Sequence, residues 1–330
     1  MKNKEQTQKK MLTIFIIIIV VMIGVISNCG CVEKSENIIK VSGAYSLYPM
    51  MVVWAQEYQK LHPDVRIDIT TGGAGKGMSD ALASSVDLGM VSRDITADEA
   101  SQGIIGVAVV EDAVLATINS ANPVLAKILQ NGLTKQQLKE IFIDFSISTW
   151  GQLVNDSTNT DPIKVYSRSD PCGAAEAWTK YLGNYTQDDI PTIEEITKVK
   201  GDDSMSKAVA GDPLGIGYSN VNYIYSNTTN SPKEGLAVIP LDLNENGTID
   251  PEEDFYESRD DVVNAEINDI LPSPPARLVY LVTLNSFTGV TKDFVMWILE
   301  DGQQFTFANG YGAVPSDILD NQLKIVEGEL

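Results

Sequence analysis

The chain has 330 residues, 43% of them hydrophobic and 21% charged, enough to bury one large core or two medium ones. Its formal net charge is −21, from 45 acidic against 24 basic side chains. Nucleic-acid binding needs clustered Lys and Arg, so that class is excluded. The acidic field repels small anions only over the screening length, about 8 Å at physiological salt, and leaves a local anion site possible.

Lys2, Lys4, Lys9 and Lys10 precede an apolar run from Met11 to Ile26. A membrane span needs about 20 apolar residues, so the run suits a signal-peptide core better than a transmembrane helix. Asn28-Cys29-Gly30-Cys31 follows. A Cys just after such a core, with a small residue before it, resembles a lipoprotein cleavage site. Cys31, preceded by Gly30, is the expected lipidation position, and Cys29 is the alternative. An uncleaved anchor helix is the other reading. Either way the body is expected on the outer face of the cell membrane. With Cys29 and Cys31 processed or lipidated, Cys172 stands alone and no internal disulfide is expected. Residues 1–31 thus read as a targeting segment and 32–37 as a tether.

Residues 39–43 read as a strand entering a turn, and Tyr48-Pro49 opens a helix to Lys60, because Pro suits a first helical turn. Residues 65–70 alternate apolar and polar, as a strand does. A glycine loop is expected from Thr71 to Gly77, a helix over 78–84 and a short buried strand over 86–90. Residues 104–119 are apolar and β-branched and read as a buried strand crossing between two domains. Further on, the pattern predicts helix 134–142, strand 163–166, helix 174–182, strand 215–218, strand 236–241, a returning strand 277–284 and helix 292–300. This order is α/β with mostly parallel strands.

Small residues fill three expected strand-to-helix junctions, at 43–49, 72–77 and 167–174. At each, free backbone N–H groups and the positive helix end would face outward, an arrangement that binds anions with few cations. Separately, Asp242-Leu243-Asn244-Glu245-Asn246-Gly247-Thr248-Ile249-Asp250-Pro251-Glu252-Glu253 follows the calcium-loop pattern. Asp242, Asn244, Asn246, Thr248, Asp250 and Glu253 would ligate calcium, with Gly247 at the sharp turn. Because residues 236–241 read as a strand, this would be a loop grafted outside a helix pair, with a structural ion.

From about Val41 to Ile318 the chain resembles the phosphate-binding proteins of ABC importers. The likeness rests on Ser42-Gly43-Ala44-Tyr45-Ser46-Leu47-Tyr48-Pro49, Gly72-Gly73-Ala74-Gly75-Lys76-Gly77, Val86-Asp87-Leu88-Gly89-Met90-Val91-Ser92-Arg93, Arg168-Ser169-Asp170-Pro171-Cys172-Gly173, Gly215-Ile216-Gly217-Tyr218 and Tyr311-Gly312-Ala313-Val314-Pro315. The resemblance implies a type II periplasmic-binding fold, with a dehydrated anion held between two lobes joined by crossing hinge strands. Lobe one would be residues 38–113 plus 272–330, and lobe two residues 114–271.

It also implies the ligand set. Ser46 and Leu47 would give hydroxyl and backbone donors, and Gly73, Ala74 and Gly75 backbone N–H groups. Arg168 would be the cationic ligand, held by Asp170, and Cys172, Gly173 and Ala174 would supply a helix N-terminus. Several positions depart from the family. Ser is frequent where Ala74 or Gly75 stands. Cys172 and Ala174 replace a usual Ser and Thr. Ser92 falls where some members carry the Asp that accepts the proton of hydrogen phosphate and rejects sulfate.

The implied function is capture of inorganic phosphate, and its delivery by a monomer to an ABC permease and its ATPase. A binder of sulfate, molybdate or tungstate is the alternative in the same class. A surface sensor or adhesin on the same scaffold is another. A thiol enzyme built on Cys172, at a helix N-terminus but without an obvious base, is the weakest, and no catalytic activity is expected.

Overall fold

A computed structural model of the chain describes residues 37–329. The expected targeting segment 1–31, with Cys29 and Cys31, and residues 32–36 of the expected 32–37 tether lie outside the described residues, whereas Asn37 is the first residue of a strand and not tether. Among the described residues no helix is long and apolar enough to cross a membrane.

The first part is β1 (Asn37–Gly43), α1 (Tyr48–Leu61), β2 (Val65–Thr71), α2 (Ala74–Leu82), β3 (Leu88–Val91), α3 (Ala97–Ser101) and β4 (Ile104–Asn119). Then come α4 (Leu125–Asn131), α5 (Lys135–Phe142), α6 (Trp150–Leu153), β5 (Lys164–Arg168), α7 (Gly173–Gly183), β6 (Ile196–Val199), α8 (Asp202–Gly211), β7 (Gly215–Asn220), α9 (Val221–Ile224) and β8 (Leu236–Val238). α10 (Arg259–Ile267), β9 (Ala276–Leu284), α11 (Gly289–Leu299) and α12 (Ser316–Glu327) complete the chain.

The strands lie in the order β2-β1-β3-β9-β4-β7-β5-β6, with β8 on β4. β1 is parallel to β2 and β3, and β5 is parallel to β6 and β7, as the βα order demands. β9 runs antiparallel to both β3 and β4, and β4 antiparallel to β7. Two apolar clusters result. One contains Ile39, Trp54, Val107, Val110, Val279 and Phe294. The other contains Ala113, Leu115, Phe142, Trp178, Tyr218 and Ala276. β4 and β9 each place residues in both clusters.

The glycine segment departs from expectation. α2 starts at Ala74, so Gly75 and Gly77 are helical and not part of a loop. A Cβ on Gly77 would lie 2.4 Å from the Met90 carbonyl oxygen and 3.0 Å from the Gly43 Cα. These glycines bring a helix against the sheet backbone, a use that sequence pattern does not separate from a turn. The strand expected over 236–241 ends at Val238, and the chain then turns to reach the 242–253 loop.

Candidate functional site

Gly43 ends β1 with φ +132°, and its carbonyl accepts from Gly72 N (3.0 Å) and Gly73 N (3.1 Å). Two helix starts are thereby fixed side by side. Leu47 precedes α1 and Gly73 precedes α2, and neither helix has a side-chain cap or an acid in its first turn. Their outward N–H groups and dipoles are left for a ligand or solvent. Ser46 is 2% exposed, and its Oγ is buried with no hydrogen-bond partner. Its carbonyl accepts from the Tyr311 hydroxyl, which fixes the turn.

On the other side β5 ends in Arg168, 1% exposed. Its Nε and Nη2 donate to the two oxygens of Asp170 at 2.9 and 2.7 Å. Its Nη1 donates to Asp202 Oδ1 at 2.7 Å, and the Tyr45 ring lies 5.6 Å from the guanidinium carbon. Burial works to lower the Arg168 pKa, but the Asp170 hydrogen bonds and the Asp202 charge reverse that, so the group stays charged. Burial works to raise the Asp170 pKa, and Arg168 holds it below the ordinary carboxylate value. Gln187 Nε2 ties down the connecting turn through the carbonyls of Arg168 (3.1 Å) and Asp170 (2.9 Å).

α7 then starts behind Cys172 without a side-chain cap. Cys172 is 4% exposed, and burial pushes its thiol up to about 12. The thiol is therefore neutral and packed, not an activated nucleophile.

The junctions meet. A Cβ on Gly73 would lie 2.8 Å from the Pro171 carbonyl oxygen, and one on Gly75 3.6 Å from Pro171 Cβ. A Cβ on Gly173 would lie 2.1 Å from Ser92 O and 2.3 Å from Ser92 Oγ. Ala74 and Ala174 are both buried beside their helix starts. Nine of the ten sequence-proposed ligand residues thus fall at three adjoining junctions, with Ser92, just after β3, against Gly173 and Asp170 paired to Arg168.

Four residues at the site, Asp202, Asn220, Arg277 and Asp112, were not found from sequence. Asp202 starts α8, and Asn220 Nδ2 donates to the same Asp202 Oδ1 at 2.7 Å. Arg277, on β9, donates to Asn220 Oδ1, to the Gly173 carbonyl and, at 3.2 Å, to Asp112 Oδ2. The result is a hydrogen-bonded chain in which the neutral Asn220 joins two ion pairs, Arg168–Asp202–Asn220–Arg277–Asp112. Burial raises the Asp202 pKa against the pull of Arg168 and Arg277. Burial also raises the Asp112 pKa, to about 6, against Arg277. The available signal was Lys200-Gly201 before Asp202, a fourth strand-to-helix junction hidden by the shortness of β6.

The 242–253 loop lies elsewhere, beside α4, where Ile249 N donates to Gln130 O and Asp242 N to Leu133 O. Asp242 and Glu253 are buried and turned into the loop. Asp242 accepts from Asn246 N (3.1 Å) and Gly247 N (2.8 Å), and Glu253 Oε1 from Leu243 N (2.9 Å) and Asn244 N (3.0 Å). Asp250 accepts from the amides of Asn244 and Asn246, and Gly247 has φ +84°. Among the described residues no three Asp, Glu, His or Cys side chains are grouped to hold a metal, so a cation here would depend on the Asn and Thr oxygens as well.

The family model for the PBP superfamily domain matches residues 31–300. The chain belongs to the PBP superfamily. It is 27% identical over 192 residues to the phosphate-binding protein PstS of Bacillus subtilis, covering 58% of this chain and 60% of that one. It is 25% identical to PstS of Pseudomonas aeruginosa, covering 86% of this chain and 84% of that one. It is 24% identical to PstS of Methanocaldococcus jannaschii, covering 96% and 95%. The match to the B. subtilis relative thus spans under two thirds of that protein. Among solved structures, one with bound phosphate from Clostridium perfringens superimposes with TM-score 0.67 at 23% identity, covering 84% of this chain and all of that one. An ABC-type phosphate transport receptor from Vibrio cholerae gives TM-score 0.60 at 20% identity, covering 84% of this chain and all of that one. These structures share the α/β fold of the PBP superfamily described above.

Proposed function

We propose that this PBP-superfamily chain is the extracytoplasmic binding protein of an ABC importer, and that it captures inorganic phosphate where the three junctions meet. The observation that carries the reading is Ser46 Oγ, a buried hydroxyl without a partner beside two uncapped helix starts. A buried orphan donor costs about 1–3 kcal/mol, and an anion would remove that cost. Arg168 supplies the fixed positive charge, and Cys172, Gly173 and Ala174 the third helix start. Several relatives are named phosphate-binding proteins, which favours phosphate over sulfate, molybdate or tungstate and a binder over an enzyme. Calorimetry on exhaustively dialysed protein with a panel of oxyanions is the test. Phosphate should bind most tightly; tighter binding of molybdate or sulfate would reassign the ligand.

The remaining parts of the reading are a monomer that closes its two lobes, 38–113 plus 272–330 and 114–271, around the anion and docks on a permease driven by its ATPase. Cys31, or alternatively Cys29, carries the lipid that holds it on the outer face of the membrane. Mass spectrometry of the membrane-extracted protein would find a diacylated N-terminal Cys, and an intact leader would overturn the lipid anchor. The 242–253 loop holds a structural calcium ion. The inward carboxylates of Asp242 and Glu253 and the left-handed Gly247 support this, and turning the Asn244 and Asn246 amides would bring their oxygens in.

A further inference from the structure

Phosphate near neutral pH always carries at least one proton, whereas sulfate carries none. A site that prefers phosphate needs an acceptor that cannot also donate. Ser92 is a poor candidate, since a hydroxyl does both. Its carbonyl and Oγ also lie against Gly173, at the start of α7.

Asp202 has the required chemistry. Its side chain is 3% exposed. Both of its hydrogen bonds fall on one oxygen: Oδ1 accepts from Arg168 Nη1 and from Asn220 Nδ2, each at 2.7 Å. Two donors on Oδ1 fix the carboxylate plane, and Oδ2 makes no hydrogen bond among the described residues. Asp170 occupies the Nε and Nη2 edge of Arg168, so an anion must approach the guanidinium beside Asp202. A free carboxylate oxygen there accepts a proton from a protonated anion and repels a fully ionised one. In a buried site, with little water to screen it, that repulsion is strong.

Resting on the phosphate reading above, we propose that Asp202 is the specificity-determining residue that reads the proton of hydrogen phosphate. It does so from the α8 start. The swap accounts for a site that has Ser92 where a carboxylate would serve and still keeps an acceptor.

The test is competition calorimetry with phosphate and sulfate on the full protein and on Asp202→Asn. The amide keeps an oxygen for Arg168 and Asn220 and puts a donor where Oδ2 stood. Phosphate should weaken and sulfate strengthen, so the phosphate-to-sulfate affinity ratio should fall about 10- to 100-fold, the worth of one hydrogen bond to a charged group. An unchanged ratio overturns the proposal. So does equal tightening of both anions, which would make Asp202 a plain counter-ion. If Asp202→Asn melts below the assay temperature, Ser92→Ala decides. Weakening of both anions by a common factor supports Asp202, and selective loss of phosphate gives the role to Ser92. A wild-type protein that binds no oxyanion overturns the phosphate reading and this one together. Phosphate binding with an unchanged ratio in Asp202→Asn overturns this one alone.

Discussion

At the scale of single residues, Arg168 carries two jobs that its substitution would expose together. Its guanidinium neutralises Asp170 and Asp202, both buried, and in the proposed function would offer its remaining N–H groups to the anion. Arg168→Ala therefore removes ligand contacts worth about 1.5–3 kcal/mol each, for a loss of about 100-fold or more in phosphate affinity. It also strands two carboxylates, and breaking a buried pair costs about 3–5 kcal/mol of stability. Calorimetry and a denaturant melt on the same sample would read both. Arg168→Lys keeps the charge but cannot fork, so it should recover part of the stability and little of the affinity. Cys172 gives the opposite expectation. With its thiol pushed up to about 12 and 4% exposed, it should resist alkylation by iodoacetamide at pH 8 in the native protein and react after denaturation. Rapid native labelling would reopen the thiol-enzyme reading.

At the scale of elements, α2 turns on how closely its glycines approach the sheet. Ala at position 77 would gain about 1 kcal/mol of helix propensity. Its Cβ, however, would sit 2.4 Å from the Met90 carbonyl oxygen, a backbone atom that cannot swing aside. Overpacking of this kind costs about 1–3 kcal/mol or more, so Gly77→Ala should be net destabilising in a urea melt. This is also where sequence reading failed. β4 was legible at both ends, because a sixteen-residue run that is apolar or β-branched except at Glu111, Asp112 and its last residue, Asn119, reads as a buried strand. Arg168 and Asp170 were legible because the resemblance singled them out. The glycines of α2 were not, since pattern shows a missing side chain but not the strand pressed against it. Asp202 was missed because β6 is four residues long and α8 is polar at its start, so neither gave a periodic signal. For the 242–253 loop, a calcium ion bound only to the folded chain should make stability depend on it. Chelator should lower the melting temperature, calcium should restore it, and Glu253→Gln should abolish that response. A melt indifferent to chelator would make the loop an ordinary turn.

For the whole molecule, the crossing of β4 and β9 carries a concentration of acids that folding keeps from water. Burial raises Glu111 to about 7 and Asp112 to about 6, and raises Glu266 well above its ordinary value, with both Glu266 oxygens unpaired. Below about pH 3 each is protonated in the folded and the unfolded chain alike, and no penalty arises. As pH rises, the unfolded chain ionises while the folded chain resists, so stability declines through about pH 6 to 7. The net charge of −21 pushes the same way through self-repulsion. The melting temperature at pH 5.5 should therefore exceed that at pH 7.5. Glu266→Gln should raise the pH 7.5 value and flatten the profile, whereas Glu257→Gln, at an exposed position, should shift it little. Equal effects from the two would assign the slope to overall charge.

The division of the two apolar clusters along the chain has a consequence for how the protein is made. The cluster around Trp178 draws only on residues between Ala113 and Ala276, one uninterrupted stretch. The cluster around Trp54 needs Val279, Phe294 and Val326 from the far end, and β3 has no partner on its β9 side until β9 arrives. As the chain emerges in order during its synthesis, the later-written half can finish first. The half carrying Ser46 must wait, with a bare strand edge, for the last fifty or so residues. The chain is thus most exposed to aggregation and proteolysis in its earliest segment, and a chain cut short before β9 leaves that segment without its core.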